Sequence, residues 1–518
     1  MRMEFDGGDD LIPGNATRRD FLRKMSVAAS AAAITGAASS QPLRQREIKN
    51  WDASADVVIV GAGAAGIAAA IEARRYRVKA LVLEKFDVAG GTSSLSGGVC
   101  YMGGGTPLQQ ALGFADSTEN MYNYMVAAAG IHAPRDRIQA YCEGSQEQFD
   151  WLVANGVRYA QKFSAEKEVS RADASLYYSG CEKVFPYRDN ARPAPRGHLP
   201  PTDDLTGGRS LMRALLTSAA NLGVALTTNV SVERLVQAGD GAVIGVEVID
   251  NGERRRIRAR NGVVLAAGGF IHNPSMLQRY APELNRCSAP WGRAGDLGMG
   301  IRMGMSVGAN ALRMNQGFVI LPLYPPEDAL KGIVVNLNGQ RFVPEDAYYG
   351  LMGYEIAYRQ DGRAFLIIDA TTDYAPQDYR FKLAAHADSI AALEAALKLP
   401  TESLQRTVDY YNRFAQAGQD PLYQKSPHYI APLIKPPFKA YDLDLTRAFC
   451  PVVTVGGLHT NLNSQVIHVE GDIIPGLYAA GRTAASTVLA RYIGSGMSIG
   501  EALFAGRRAG AHAAQIKR

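Results

Sequence analysis

Three glycines and one glutamate have the spacing of a nucleotide-binding turn. Gly61, Gly63 and Gly66 form a GxGxxG pattern directly after an apolar run, and Glu84 ends the next apolar run. Glycines in this pattern allow a tight turn and let backbone N–H groups approach a diphosphate closely. An acid about 20 residues further on accepts hydrogen bonds from a ribose diol. The spacing therefore predicts a dinucleotide site, with Glu84 on the ribose.

A second glycine-rich stretch indicates which dinucleotide is bound. Residues 90–98 read GGTSSLSGG and residues 103–106 read GGGT, so this part of the chain offers many backbone N–H groups and small hydroxyls. Such a stretch suits a long ligand that lies along the backbone from its diphosphate to a flavin ring. No second GxGxxG follows a strand, which argues against an NAD(P)H site. The predicted cofactor is FAD, held non-covalently.

Buried parallel strands must position these residues. The runs 56–60 (DVVIV) and 78–83 (VKALVL) flank an alanine-rich helix, and both are typical of strands that are covered on both faces. The later runs 262–269 (GVVLAAGG) and 474–482 (IPGLYAAGR) have the same form. Strands that return to one sheet from distant parts of the chain predict an interrupted α/β nucleotide domain.

The predicted FAD contacts lie in the glycine turns, at the strand ends and at the start of the last predicted helix, Ile499 to about Ala514. N–H groups at the start of that helix would point at negative charge on the reduced flavin. The predicted contacts are Gly61, Gly63, Ala64, Ala65, Gly66, Glu84, Lys85, Gly91, Thr92, Ser93, Ser96, Gly97, Gly98, Val232, Ala267, Gly268, Gly481, Ser498 and Ile499.

Composition excludes several classes of protein. The chain has 518 residues, of which 47% are hydrophobic and 20% charged, so the bulk is neither disordered nor a multi-span membrane protein. The net charge is +5, and no basic run with interleaved aromatic residues appears, so nucleic acid is not an expected partner. The five cysteines form no CxxC and the eight histidines form no HExxH, so no metal site is predicted.

The first forty residues have the pattern of an export signal. Arg18 and Arg19 precede an alanine-rich apolar stretch over residues 25–38, and small residues follow. This order is typical of a secretory signal, and the paired arginines resemble the twin-arginine type, which exports folded proteins. The stretch is too short for an integral membrane span. We predict a signal peptide over residues 1–40 and a periplasmic or extracytoplasmic protein, which would be cytoplasmic if the leader were not functional.

Several motifs together resemble the fumarate reductase/succinate dehydrogenase flavoprotein superfamily, and within it the 3-ketosteroid dehydrogenases. Besides the FAD turns, the resemblance is carried by residues 97–106, Met121-Tyr122, residues 194–198 and residues 500–510. The chain is similar to the 3-oxo-5α-steroid 4-dehydrogenase branch of this family, and the similarity extends from about residue 56 to the C-terminus.

The resemblance also implies an architecture. A Rossmann-like FAD domain of the glutathione-reductase type would be built from residues 52–282 and 440–518. An α+β substrate or cap domain would be inserted over residues 283–439. Because one domain interrupts the other, the chain would contain two interleaved domains after its leader rather than three in series.

The resemblance further implies catalytic residues. Tyr492 and Gly496 match a Tyr-x-Gly-x-Gly segment of ketosteroid dehydrogenases, in which the tyrosine hydroxyl and the last glycine N–H polarise the substrate 3-keto oxygen. Residues 339–345 (GQRFVPE) resemble the superfamily's Gly-x-Arg-Phe-x-Asn-Glu, although proline replaces the asparagine. Tyr348 and Tyr349 follow, where fumarate reductases place a catalytic arginine. Either hydroxyl could transfer the proton, and the sequence does not choose between them.

The predicted function is an FAD-dependent oxidoreductase that introduces or reduces a carbon–carbon double bond conjugated to a ketone. Uncharged donors suit a small neutral keto substrate, whereas a dicarboxylate would call for guanidinium groups. A tyrosine would move the proton, flavin N5 would exchange a hydride, and an external electron acceptor or donor would complete turnover. The resemblance indicates that the substrate is a 3-ketosteroid.

Two other functions remain open. A respiratory enoate reductase of the fumarate or urocanate type would normally carry a His-Pro-Thr segment, where residues 315–317 read NQG. It would be favoured if Arg482, Arg491 and His459 converged on the flavin. An electron-transfer flavoprotein without its own substrate would have a short insert or none.

Overall fold

The structure, a computed structural model, describes residues 41–167, 173–202, 207–372, 374 and 380–516. The predicted signal peptide over residues 1–40 lies outside the described residues, so export stays a prediction. Within the described part of the chain, no helix is both long and apolar enough to cross a membrane.

A parallel layer of five strands forms the centre of the FAD domain. Its strand order is Ile473–Ala479, Glu253–Leu265, Ala53–Val60, Ala80–Leu83 and Ala225–Thr227. Every neighbouring pair is parallel, so the carboxyl ends of all five strands lie at one edge. In open α/β sheets a nucleotide binds at this edge. The strands predicted from the four β-rich runs of the sequence therefore lie side by side.

The long strand Glu253–Leu265 also belongs to an antiparallel meander that the sequence analysis did not predict. Its first half pairs with Val243–Asp250, which in turn pairs with Val230–Gln237. The short strand Leu43–Arg44 adds to the outer edge, and Gln465–Ile467 pairs with the strand that ends at Ala479. One strand thereby connects the parallel layer to the meander.

Two helices of small residues pack closely on the parallel layer. Helix Ala64–Arg75 follows the first glycine turn, and the C-terminal helix Met497–Gln515 lies against it. A Cβ placed on Gly510 would be 2.1 Å from the carbonyl oxygen of Ala69. The two backbones approach this closely because neither helix has a bulky side chain at the contact.

A second sheet lies within the predicted insert. Its four antiparallel strands have the order Ile333–Val335, Phe365–Ile368, Phe438–Asp442 and Lys382–Ala387. Helices Ile390–Leu397 and Ser403–Ala415 cover it with a separate apolar core. The predicted boundary at residue 439 falls within one of these strands. The fold class is confirmed as an α/β FAD domain with an inserted α+β region.

The remaining elements form smaller units around these two sheets. The other helices are Pro107–Ala111, Thr118–Ala129, Arg135–Glu143, Ser145–Ala154, Tyr187–Asn190, Gly207–Asn221, Pro274–Tyr280, Met299–Ser306 and Tyr349–Arg359. A three-stranded sheet has the order Ala289–Pro290, Pro451–Thr454 and Gly317–Val319, and Ala311–Leu312 pairs with Gly457–Leu458. A four-stranded sheet has the order Cys100–Tyr101, Gly197–His198, Leu176–Tyr177 and Phe163–Ser164.

The contact between the two helices can be tested by adding one methyl group. Gly510→Ala improves helix propensity but places its Cβ on the backbone of Ala69, which has no freedom to move away. We expect the cost of the steric overlap to exceed the gain in helix propensity. The free energy of unfolding should therefore fall by roughly 1–3 kcal/mol. Urea denaturation measures the change. Gly239→Ala is the matched control, since no atom of a neighbouring residue lies within 4 Å of its Cβ, and equal stability of the two variants would contradict the expectation.

Candidate active site

The first glycine turn lies at the carboxyl end of the central strand. Gly61 has a φ of +103°, and the carbonyl oxygen of Ala266 lies 2.5 Å from the place of its Cβ. A Cβ on Gly66 would be 1.9 Å from the carbonyl oxygen of Gly61. Both positions therefore exclude a side chain. Gly63 precedes the helix, whose first N–H groups have no carbonyl of their own helix to bond and suit a diphosphate.

Glu84 lies beside this turn, at the end of the neighbouring strand. Its Oε2 accepts a hydrogen bond from the Ala62 N–H at 2.9 Å, and its Oε1 accepts one from the Phe86 N–H at 3.0 Å. These bonds fix the carboxylate and leave lone pairs for ribose hydroxyls. Val232 is buried on the meander, whereas Lys85 is exposed. The FAD contacts of these three residues remain predictions.

The second glycine-rich segment folds over the first turn. Gly90 and Gly91 have φ of +118° and +53°, and a Cβ on Gly91 would be 3.3 Å from the Cα of Gly63. The Oγ of Ser93 accepts a hydrogen bond from the Ala64 N–H at 3.1 Å. The two glycine turns therefore form one surface.

The same segment continues along a helix start. The Gly208 N–H donates to the carbonyl oxygen of Ser96 at 3.0 Å. Gly98 has a φ of +72°, and its Cβ would lie 2.2 Å from the carbonyl carbon of Gly207. A Cβ on Gly207 would in turn be 2.3 Å from the carbonyl oxygen of Gly97. The backbones of residues 97–98 and 207–208 are therefore in direct contact, so few side chains line the groove here.

The later FAD segments reach the same edge of the sheet. Ala267 and Gly268 follow the long strand, and Gly268 has a φ of +78°. Gly481 has a φ of +62°, and a Cβ placed on it would lie 3.1 Å from the Cβ of Ala65. The predicted segments therefore lie together, and this backbone-lined groove fits FAD.

The C-terminal helix begins at the far end of this groove. Gly496 precedes it with a φ of +98°, and a Cβ there would be 2.6 Å from the backbone nitrogen of Tyr101. Ser498 and Ile499 lie in the first turn of the helix. The helix start can therefore supply N–H groups to an anion in the groove, as the sequence predicted.

Tyr348, Tyr349 and Tyr492 come together in one buried cluster. Their exposed fractions are 2%, 7% and 5%. The ring centroids of Tyr348 and Tyr349 are 4.2 Å apart, and those of Tyr348 and Tyr492 are 6.1 Å apart. The Tyr492 ring stacks on Phe318 at 4.0 Å. The structure thus joins the two segments that carry the predicted catalytic tyrosines.

The Tyr492 hydroxyl faces the start of the C-terminal helix. It accepts a hydrogen bond from the Ser498 N–H at 2.9 Å. Burial raises the pKa of Tyr492, and the N–H groups of Ser498 and Gly496 partly oppose this effect. Tyr492 is therefore a neutral phenol whose oxygen accepts backbone N–H groups.

Hydrogen bonding distinguishes the two neighbouring tyrosines. Burial raises the pKa of both Tyr348 and Tyr349. The hydrogen bond between them raises the pKa of Tyr348 further and lowers that of Tyr349, and the Ser495 hydroxyl also lowers the pKa of Tyr349. Tyr349 is therefore the hydroxyl whose negative charge the neighbours stabilise.

A buried ion network holds the segment that leads to these tyrosines. Arg341 bonds Glu345 through Nη2 at 2.7 Å and Asp420 through Nη2 at 2.9 Å. The Lys425 ammonium lies 3.3 Å from Glu345 and donates to the carbonyl oxygens of residues 330 and 332. Burial opposes ionisation, but Arg341 and Lys425 hold the pKa of Glu345 below its ordinary value. The network fixes the turn before Tyr348.

The loop between Tyr492 and Gly496 is held by a segment that sequence reasoning missed. The Ser495 N–H donates to the carbonyl oxygen of Ser179 at 2.7 Å, and the Ser179 hydroxyl donates back to Ser495 at 3.0 Å. Tyr177, two residues earlier, is buried, and its electrostatic neighbours include Tyr349 and Tyr492. Ser495 could have been found, because it lies within the matched Tyr-x-Gly-x-Gly segment. Tyr177 carried no signal among 24 tyrosines.

Two of the three basic residues that an enoate reductase would need on the flavin have their own partners. Arg482 bonds Asp296 at 2.6 Å, and Arg491 donates to the Tyr187 hydroxyl at 2.8 Å. His459 lies in the field of two other arginines, residues 137 and 313. Among the described residues, no group of histidine, cysteine or acidic side chains could hold a metal ion.

The fold and the groove define an FAD-dependent flavoprotein oxidoreductase. A family model described as "FAD binding domain" matches residues 56–499. The match covers most of the chain, so the protein belongs to this family. The predicted flavoprotein superfamily and its cofactor are confirmed.

Individual relatives give a closer comparison. The chain is 31% identical over 508 residues to the 3-oxo-5-alpha-steroid 4-dehydrogenase of Comamonas testosteroni, covering 83% of this chain and 93% of that protein. It is 29% identical over 490 residues to the urocanate reductase of Eggerthella lenta, covering 89% of this chain and 75% of that protein.

Among solved structures, the chain is similar to the 3-ketosteroid-delta4-(5alpha)-dehydrogenase of Rhodococcus jostii RHA1 in complex with 4-androstene-3,17-dione. The sequence identity is 40% and the TM-score is 0.86, with 92% of this chain and all of that chain covered. The predicted membership in the superfamily that includes the 3-ketosteroid dehydrogenases is therefore confirmed.

The ion network before the tyrosines can be tested through stability. Arg341→Met should lower the free energy of unfolding by about 3–5 kcal/mol at neutral pH, because it removes the guanidinium between two buried carboxylates and leaves Lys425 as the one cation of the network described above. Arg406→Met is the control, since Arg406 pairs with Glu402 on the surface and should contribute less than about 1 kcal/mol. Urea denaturation of both variants measures the difference.

The same experiment has an expected pH dependence. The pKa values of Glu345 and Asp420 are lowered in the folded protein, so their contribution is present above their ordinary pKa and is lost as pH falls. The stability difference between wild type and Arg341→Met should therefore shrink in acid. A difference that stayed constant from neutral pH to pH about 3 would rule out this account.

Proposed function

We propose that the protein is an FAD-dependent 3-ketosteroid dehydrogenase, which introduces or reduces a double bond conjugated to the substrate ketone. The observation that carries this proposal is the buried cluster of Tyr348, Tyr349 and Tyr492 beside the start of the C-terminal helix. The solved relative that binds 4-androstene-3,17-dione supports a steroid as the substrate.

The ketone oxygen would be held by uncharged donors. The Gly496 N–H lies near the Tyr492 hydroxyl, since it is one of the two backbone N–H groups that act on that oxygen. A ketone next to them would gain enolate stabilisation of about 3 kcal/mol per donor, by analogy with other oxyanion holes. The Phe318 ring beneath Tyr492 offers an apolar face to a flat hydrocarbon.

The proton would pass to or from Tyr349. The Tyr348 and Ser495 hydroxyls stabilise its phenolate, so this residue is better suited to accept a proton than Tyr348. Bound FAD, held non-covalently, supplies the two-electron acceptor for the hydride. In the reducing direction the Tyr349 hydroxyl would return the proton to the carbon next to the ketone. An external electron acceptor or donor completes turnover.

The enoate reductase alternative has less support. Carboxylate substrates need paired guanidinium groups, but Arg482 and Arg491 are held by Asp296 and Tyr187 respectively. An electron-transfer flavoprotein without a substrate is also less favoured, because the insert has its own sheet and contributes two tyrosines to the cluster.

The role of Tyr492 can be tested by removing its hydroxyl. In Tyr492→Phe we expect the rate of flavin reduction by a 5α-3-ketosteroid to fall by about 10²–10³-fold, since one of two enolate donors is lost. Anaerobic stopped-flow at the flavin absorbance measures this rate, with reduced enzyme and a 4-ene-3-ketosteroid as the reverse assay.

Tyr411→Phe is the matched control for that experiment. Tyr411 is also buried, and its hydroxyl also accepts a backbone N–H, from Ala431, but it lies in the core of the insert. Its reduction rate should match that of wild type. A wild-type rate in Tyr492→Phe would remove Tyr492 from the mechanism, and reduction by succinate or urocanate rather than by steroids would favour the alternative reading.

The two neighbouring tyrosines should differ in effect. Tyr349→Phe removes the proposed proton acceptor and should slow flavin reduction by about 10²–10⁴-fold, with loss of the pH dependence. Tyr348→Phe removes only a hydrogen-bond donor to that acceptor, so it should slow reduction by about 10-fold and shift the pH dependence to higher pH. A larger loss in Tyr348→Phe than in Tyr349→Phe would reverse the assignment.

A further inference from the structure

A buried tyrosine outside the catalytic cluster connects two segments that hold the cluster. Tyr124 lies on helix Thr118–Ala129 and is 1% exposed. Its hydroxyl donates to the carbonyl oxygen of Ile493 at 2.6 Å and accepts the Cys181 N–H at 2.7 Å. Burial raises the pKa of Tyr124, so the hydroxyl keeps the proton that it donates. Because Ile493 directly follows Tyr492, one hydroxyl links the loop after Tyr492 to the segment at Cys181.

The segment at Cys181 in turn holds the other side of the cluster. The Cys181 Sγ accepts the backbone N–H of Tyr348 at 3.2 Å. Burial raises the pKa of Cys181 to about 12, so this group is a thiol. Three hydrogen bonds, with the Tyr124 hydroxyl between two of them, therefore run in series from the Tyr348 N–H to the Ile493 carbonyl oxygen. They join the insert to the loop that begins at Tyr492.

These segments are in direct contact at a glycine. A Cβ on Gly180 would be 2.5 Å from the Ile493 carbonyl oxygen and 2.5 Å from the Tyr124 hydroxyl. Gly180 also forms an isolated antiparallel bridge with Gly494. Two other tyrosine rings pack against the Tyr124 ring, with centroids 6.1 Å and 6.3 Å away. Packing on these sides fixes the hydroxyl between its two partners.

We propose that Tyr124 is a positioning residue, whose hydroxyl sets the separation between the proton-transfer tyrosines of the insert and the ketone-binding groups of Tyr492 and Gly496. The inference rests on the proposed function, since that function requires both sets of groups to meet one rigid substrate. A misplacement of about 1 Å between such groups is costly to the rate. Without the Tyr124 hydroxyl, the Ile493 carbonyl and the Cys181 N–H each lose a buried partner, and both segments are released.

Tyr124→Phe tests the proposal, because it removes the hydroxyl and keeps the ring. In the full-length holoenzyme we expect flavin reduction by a 5α-3-ketosteroid to slow by about 10- to 100-fold. If Tyr124 acts partly through Tyr492, the same substitution in a Tyr492→Phe background should have an effect at least about fivefold smaller. Anaerobic stopped-flow gives all four rates of this double-mutant cycle. Independent, multiplicative effects of the two substitutions would overturn the proposal.

Cys181 provides a second test, which stands even if Tyr124→Phe does not fold. Cys181→Ala leaves the Tyr348 N–H without its acceptor and should slow reduction by about 3- to 10-fold. Cys181→Ser restores an acceptor and should recover most of the rate, whereas equal rates in the two variants would contradict the path through Cys181. Tyr411→Phe is the control, because it removes a buried hydroxyl that accepts a backbone N–H in the core of the insert, and its rate should match wild type.

The outcomes separate this inference from the proposed function. If the steroid does not reduce wild-type flavin, the proposed function is wrong and the positioning role is lost with it. If the steroid reduces wild type and Tyr492→Phe is slow, but Tyr124→Phe reacts at the wild-type rate, only the positioning role is overturned. Urea denaturation of each holoenzyme completes the comparison: lower stability of Tyr124→Phe with a wild-type rate would show that this tyrosine is purely structural.

Discussion

Close approach of backbone to backbone is the constraint on which the rest of this structure depends. Gly61 lies against Ala266, and Gly91 lies against Gly63, so several distant segments share one surface at the carboxyl edge of the parallel layer. A Cβ would lie 2.5 Å from the Ala266 carbonyl oxygen at position 61 and 3.3 Å from the Gly63 Cα at position 91, so a side chain at either point would push the segments apart. FAD needs such a surface, because its diphosphate is bound by N–H groups that only bare backbone can present. The glycines therefore serve the fold and the cofactor together.

The tyrosine cluster depends on a different physical device. Tyr348 and Tyr349 lie at the start of a helix, and the turn before them is fixed by Arg341 between Glu345 and Asp420. Ionic groups are costly to bury, and this network is retained although an apolar core could be equally stable. Its hydrogen bonds are directional, so it holds the turn before these two tyrosines in one position.

Much of the FAD groove could be predicted from the sequence, but less of the region around the tyrosine cluster. The GxGxxG turn, Glu84 and the β-rich runs are local patterns, and local geometry determines what they form, so their positions could be predicted. The meander of Val230–Gln237 and Val243–Asp250 was missed although a hairpin signal was present, since Asn251-Gly252, with φ of +51° and +83°, joins its second strand to the long third strand. Tyr177 could not be distinguished, because its place near Tyr349 follows from tertiary packing alone.

Burial decides what the three tyrosines can do. In a site closed to water, each phenol keeps its proton, and this neutral state suits a ketone that must be polarised without being repelled. The hydrogen bond from Tyr348 breaks the symmetry of the pair, since it favours negative charge on Tyr349 and disfavours it on Tyr348. A phenolate forms only while the reaction supplies a positive or polarised neighbour. In the proposed reaction the same site would therefore remove a proton in one direction and return it in the other.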